Sequence, residues 1–74
     1  MTPYANLGGD SGVSSYEIGS NFIKVQFSTG AIYVYDDVKP GTSDLDQMKA
    51  LAISGVGLNS FISRDVRSNF AYKE

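Results

Sequence analysis

The chain has 74 residues and contains neither cysteine nor histidine. This composition excludes disulfides, thiol or imidazole catalysis and Cys/His zinc sites, and the length leaves room for one small domain. Lys and Arg number 6 against 8 Asp and Glu, which gives a net charge of -2, whereas nucleic-acid-binding domains usually carry a strong positive balance.

The N-terminal segment is the first feature along the chain. The glycine-rich run Gly8-Gly9-Asp10-Ser11-Gly12 predicts that residues 1–12 form a flexible arm ahead of a single domain over residues 13–74. The segment lacks the basic start and the apolar stretch of a signal peptide, and no run approaches the roughly 20 apolar residues of a membrane span. We therefore expect a soluble, cytoplasmic protein.

Three short strands are predicted next, over residues 14–19, 22–28 and 31–35. The middle strand alternates clearly, because Ile23, Val25 and Phe27 point to one face while Lys24 and Gln26 point to the other. This period of two is typical of an antiparallel sheet that buries one face.

The turn between the second and third strands permits two registers. A two-residue loop at Thr29-Gly30 would leave Tyr33 and Tyr35 on the polar face. A three-residue loop, which begins one residue earlier, puts Gly30 in the left-handed position of a bulge and moves both tyrosines to the core face. Because glycine adopts positive φ without strain, we favour the second register. Its predicted pairs are Val25 with Tyr33 and Ile23 with Tyr35.

The favoured register leaves three apolar side chains on the outer face of the hairpin, namely Phe22, Ile32 and Val34. An exposed apolar patch would mark an interface with a protein partner or with a second copy of the chain. The alternative is that the N-terminal arm or a helix covers these residues. Self-association would also help a domain that is too small to bury a large core.

Two helices follow the strands. Ser43 is the predicted N-cap of the first helix, which presents an apolar stripe and ends at Gly55 in a left-handed cap. Gly57 is the predicted hinge before the second helix, over residues 58–67. Strands followed by helices indicate an α+β fold: a small antiparallel sheet of about three strands, then two helices packed on one of its faces. The apolar stripe of the first helix consists of Leu45, Met48, Leu51 and Ala52.

The second helix carries the candidate nucleic-acid contacts, which are Asn59, Ser60, Arg64 and Arg67. The functional interpretation is a helix face that contacts phosphates; the alternative is an ordinary solvated face. Tyr33 and Tyr35 also allow two interpretations, a base-stacking platform or a structural role, and the favoured register supports the structural role. Gly30 and Gly57 are likewise predicted to be structural. No spacing of carboxylates matches an acid/base pair or a metal site, so we expect no enzymatic activity, no metal and no cofactor.

Three stretches in order resemble the KTSC domain family. They are Val25-Gln26-Phe27 with Gly30 and Tyr33-Val34-Tyr35, then Asp37-Val38-Lys39-Pro40, then the run from Gly57 to Arg67. The family is named after a C-terminal extension of some bacterial lysyl-tRNA synthetases and also occurs as short stand-alone bacterial and phage proteins. The resemblance implies no established function, although the synthetase connection suggests RNA binding.

Two functions follow as hypotheses from these observations. The first is a small non-catalytic interaction domain that binds an unknown protein partner or itself. The second is an accessory RNA-binding module that uses the basic face of the second helix, although the acidic balance of the chain disfavours it. The first hypothesis fits the two apolar faces of the predicted hairpin better.

Overall fold

A computed structural model describes residues 1–9 and 11–74, and Asp10 of the predicted arm lies outside the described residues. Within them, five antiparallel strands form one sheet in which neighbours along the chain are also neighbours in space. The strands are β1 (Thr2–Pro3), β2 (Val13–Ile18), β3 (Phe22–Phe27), β4 (Ile32–Asp36) and β5 (Tyr72–Lys73).

The helical part follows β4. It consists of α1 (Thr42–Ser54) and α2 (Leu58–Phe61), and α2 continues directly into a π-helical turn over Ile62–Val66. The predicted α+β class is confirmed, with an antiparallel sheet and two helices. The predicted number of strands, about three, is wrong. The two additional strands have two residues each, which is too short to produce an alternating sequence pattern.

The β3–β4 hairpin has the register that the sequence favours. Ile23 lies opposite Tyr35, and Val25 lies opposite Tyr33. The Phe27 N–H donates to the Ala31 carbonyl at 2.8 Å, which closes a three-residue loop, and Gly30 has φ 95°. The left-handed conformation of this glycine is therefore what sets the pairing.

One face of the sheet packs against the helices. The residues that meet there are large and apolar, and the burial of each such side chain contributes about 1.5–3 kcal/mol. The cluster is Val13, Ile23, Val25 and Tyr35 from the sheet, Leu45, Met48 and Ala52 from α1, Leu58, Ile62 and Val66 from the second helical segment, and Tyr4.

The structure corrects the predicted start of α1 and confirms its predicted end. Ser43 is not the N-cap, because the helix begins at Thr42, two residues earlier than a cap at Ser43 implies. Gly41 occupies the cap position, where its carbonyl accepts the Leu45 N–H at 2.9 Å. Gly55 does end the helix, with φ 79° and an N–H that donates to the Leu51 carbonyl at 3.0 Å. The predicted left-handed cap at Gly55 is confirmed, and the predicted side-chain cap at Ser43 is wrong.

The N-terminal segment docks against the domain. Tyr4 is only 6% exposed, and its hydroxyl accepts the Leu58 N–H at 3.2 Å, which satisfies a backbone donor at the start of α2. Its own N–H donates to the Ser14 carbonyl at 3.0 Å, and the Leu7 N–H donates to the Gly55 carbonyl at 2.8 Å. The segment that the glycines predict to be flexible therefore contributes a strand and a core side chain.

Among the residues that the structure describes, no helix combines the length and the apolar character needed to cross a membrane.

Tyr4 provides a test of the docked arm. We expect Tyr4→Phe to lower the free energy of unfolding by about 1–3 kcal/mol, because the buried Leu58 N–H loses its acceptor. Tyr4→Ala should cost about 3–5 kcal/mol, the range for removal of a buried aromatic ring. Urea denaturation followed by circular dichroism measures both changes. Unchanged stability in both variants would mean that the arm does not dock.

Gly55 and Gly30 form a matched pair for a second test, because both have positive φ. No described atom lies within 4 Å of a Cβ added at Gly30, whereas one added at Gly55 would lie 2.6 Å from the Ala5 Cβ. Gly30→Ala should therefore cost about 1–2 kcal/mol for the backbone alone. Gly55→Ala should cost about 1–3 kcal/mol more, because the N-terminal segment must move. Equal losses in thermal or urea unfolding would contradict the close packing of this segment.

Candidate functional site

An apolar groove of about 440 Å³ lies between the β3–β4 hairpin and the end of the π-helical turn. Its volume lies within the range of small-ligand and side-chain pockets. We call it the aromatic groove and define it by six lining residues: Phe27, Tyr33, Tyr35, Ile62, Arg67 and Phe70. The rim also contains small and hydroxyl-bearing residues, among them Ser28, Thr29 and Ser68.

The aromatic rings of the groove hold one another in place. The Tyr33 ring lies at the centre, 5.6 Å from the Phe27 centroid and 4.7 Å from the Phe70 centroid, with interplanar angles of 83° and 75°. Tyr35 and Phe70 are also edge-to-face, at 6.4 Å. Such T-shaped contacts contribute about 0.5–1.5 kcal/mol each beyond area burial, so the wall of the groove is formed before any ligand arrives.

Tyr33 is poorly placed as a platform on which a base could stack. The Lys73 Nζ lies over its ring at 5.5 Å from the centroid, so one face of the ring already contacts a cation. Its edges pack against the neighbouring phenylalanines. These contacts agree with the structural role that the hairpin register predicts.

Tyr35 belongs to the floor of the groove and to the core at once. The residue is 1% exposed, and burial raises the pKa of its hydroxyl to about 12, with a smaller contribution from Tyr33. The hydroxyl therefore stays protonated across the physiological range. It can offer a hydrogen bond but is a poor proton acceptor.

Arg67 supplies the charge of the groove. Among the described residues that line it, Arg67 is the only one with a charged side chain at neutral pH. Its backbone has φ 54° and ψ -124°, and its N–H donates to the Ile62 carbonyl five residues earlier. A non-glycine residue at positive φ costs about 1–3 kcal/mol, and both such strain and π-helical turns cluster at functional sites.

The four candidate nucleic-acid contacts are distributed over two pockets and the exposed surface. Asn59 and Ser60 line a polar pocket of about 250 Å³ beside the docked N-terminal segment, and this pocket shares no lining residue with the aromatic groove. Arg67 lines the groove, and Arg64 is exposed and lines neither. Gly57 has φ 88° at the start of α2, next to Asn59.

The candidate interface on the outer sheet face is only partly available. Val34 is 3% exposed, which contradicts its assignment to an exposed patch, while Phe22 and Ile32 are half-buried. The reason is β5, which pairs with β4 so that Tyr72 lies opposite Val34. A two-residue strand gives no periodic signal, so the sequence pattern did not reveal this cover.

An ion pair closes the same side of the sheet. The Lys24 Nζ donates to the Glu74 carboxylate at 2.9 Å, and this hydrogen bond raises the pKa of Lys24. Because both side chains are partly exposed, the pair contributes little to stability. Its effect is to hold the C-terminal residues over the outer face.

A second apolar surface lies where the N-terminal segment meets the turn between α1 and α2. Leu7 and Ile53 are 72% and 70% exposed, and Val56 is 49% exposed. Leu7 is positioned by its bond to the Gly55 carbonyl, which lies between the other two residues in sequence. None of these three residues is charged or aromatic, and Val56 also lines the polar pocket that contains Asn59 and Ser60.

The sequence did not reveal the aromatic groove. Phe27 and Ile62 carry only the pattern of core residues, and Phe70 lies in a tail whose packing is not specified by any local signal.

Two further findings concern metal binding and similarity to known proteins. Within residues 1–9 and 11–74, no group of three or more acidic side chains is placed to hold a metal ion. No protein-family model, no curated protein and no solved structure matches this chain, so the resemblance to the KTSC family stays a prediction.

Tyr35 generates a prediction about alkaline pH. The unfolded chain releases this proton at the ordinary pKa of 10.0, whereas the folded chain retains it to about pH 12. The folded state therefore binds more protons between these values, and stability should be complete below pH 10 and fall as the pH rises toward 12.

The measurement is a set of urea denaturations between pH 8 and 11, together with an ultraviolet titration of tyrosinate. The control is Tyr35→Phe, which should remove the latest-titrating component and flatten the alkaline fall in stability. An identical fall in the variant would assign the effect to other groups.

Proposed function

We propose that the protein is a small non-catalytic interaction domain that binds a protein partner through the aromatic groove. The observation that carries this proposal is the groove itself: fixed aromatic rings surround an open volume of about 440 Å³ in a chain of only 74 residues. Binding pockets of this kind are mostly apolar and largely formed before the ligand arrives.

The titratable groups of the groove support binding rather than acid–base catalysis. A general base must accept a proton near the working pH. The guanidinium of Arg67 does not do so, and burial keeps the Tyr35 hydroxyl protonated. The remaining hydroxyls, at Ser28, Thr29, Tyr33 and Ser68, have no histidine in the chain to activate them.

The second candidate function is an accessory RNA-binding module, which the resemblance to the KTSC family suggests. One observation favours it: Arg67 and Tyr33 both line the groove, so a cation that could contact a phosphate lies near an aromatic ring. The net charge of -2 argues against it, and Asn59 and Ser60 do not line this groove.

The test is selection of binding peptides from a random phage-displayed library, followed by amide-resolved NMR of the labelled protein with the best peptide. We expect shifts at the groove and loss of binding in Phe70→Ser. Ile53→Ser is the control, because it replaces an apolar residue outside the groove, exposed where Phe70 is half-buried, and it should bind normally.

Two results would overturn the proposal. One is selected peptides whose shifts map to the surface around Ile53 rather than to the groove. The other is that short single-stranded RNA shifts the groove amides in a salt-dependent manner while no peptide does, which would favour the RNA-binding module.

A further inference from the structure

We infer that the aromatic groove accepts the C-terminal residue of a partner chain, with a large apolar side chain among the rings and the terminal carboxylate on Arg67. This inference rests on the proposed function and names the chemistry of the partner. Three independent features of the groove support it: its charge, its size and the rigidity of the segment that carries Arg67.

The charge of the groove favours an anion. Arg67 is the only charged lining side chain among the described residues, and it stands in a chain with net charge -2. A guanidinium presents a planar fork that matches both oxygens of a carboxylate. The hydroxyls of Ser28, Thr29 and Ser68 line the same groove and can donate further hydrogen bonds.

The size and the mixed lining favour a chain terminus over an internal acidic segment. In an extended peptide, successive side chains point to opposite sides, so an aspartate beside a leucine points away from the pocket that the leucine fills. A C-terminal residue instead carries its apolar side chain and its carboxylate on the same Cα atom. A compact groove of about 440 Å³ with one cation is suited to this arrangement.

The backbone around Arg67 favours a prepared site. The residue follows the π-helical turn, its N–H is held by the Ile62 carbonyl, and its φ of 54° fixes the direction in which the chain leaves. The opposite wall is fixed by the edge-to-face contacts of Tyr33 with Phe27 and Phe70. A site that is ordered beforehand loses less entropy when a ligand binds.

The experiment uses matched peptides with the full-length labelled protein. The probes are three pentapeptides that end in leucine, phenylalanine or valine, each made with a free C-terminal carboxylate and as the C-terminal amide. A further amide peptide carries an aspartate next to the terminal leucine. Titration is followed by the amide shifts of Phe27, Arg67 and Phe70.

The expected result is that at least one free-acid peptide binds at the groove about tenfold or more tightly than its amide. Arg67→Gln should abolish this difference, whereas Arg64→Gln should keep it, because Arg64 is exposed on the same segment but does not line the groove. Arg67→Lys should give an intermediate preference, since it keeps the charge but loses the fork. Dispersed amide spectra establish that each variant is folded.

The outcomes separate this inference from the proposed function. Equal binding of acid and amide peptides at the groove would overturn the terminal-carboxylate inference and leave the interaction domain standing. Binding of the internal-aspartate amide as tightly as the free acid would also overturn it. If neither these peptides nor the phage-selected ones shift the groove, the proposed function itself is overturned.

Discussion

The register of the β3–β4 hairpin is the constraint on which the rest of the structure depends. Because side chains alternate along a strand, a slip of one residue would move Tyr33 and Tyr35 to the outer face. The three-residue loop at Gly30 prevents this slip and pairs Val25 with Tyr33. The core tyrosine and the central ring of the groove both follow from that pairing.

The ends of the chain complete a sheet that would otherwise be too small. A domain of this length buries only about 60% of its unfolded surface, so each additional core side chain is significant. Tyr4 fills the core beside the start of α2, and β5 covers Val34 on the other face. The hydrogen bond from Leu58 to Tyr4 joins residues 54 apart in sequence, and the ion pair of Lys24 with Glu74 joins residues 50 apart.

The aromatic groove combines features that folding alone does not require. The rings pack against one another and against the core, and they also line a groove of about 440 Å³ that is open to solvent. Arg67, whose backbone is strained, lines the groove and is the only charged residue among its described lining residues. This coincidence of an open apolar volume, a cation and local strain supports a binding role.

The sequence by itself determined the features that short-range patterns encode. Alternation along β3, the glycine at the tight turn, the helical stripe and the left-handed cap at Gly55 predicted the α+β class, the hairpin register and one helix end correctly. The tertiary structure alone decided the docking of Tyr4, the burial of Val34, the placement of Asn59 and Arg67 in different pockets and the existence of the groove. The physical reason is that these features depend on contacts between segments that are distant in sequence. Strands of two residues and single side chains make those contacts, and they leave no periodic signal in the chain.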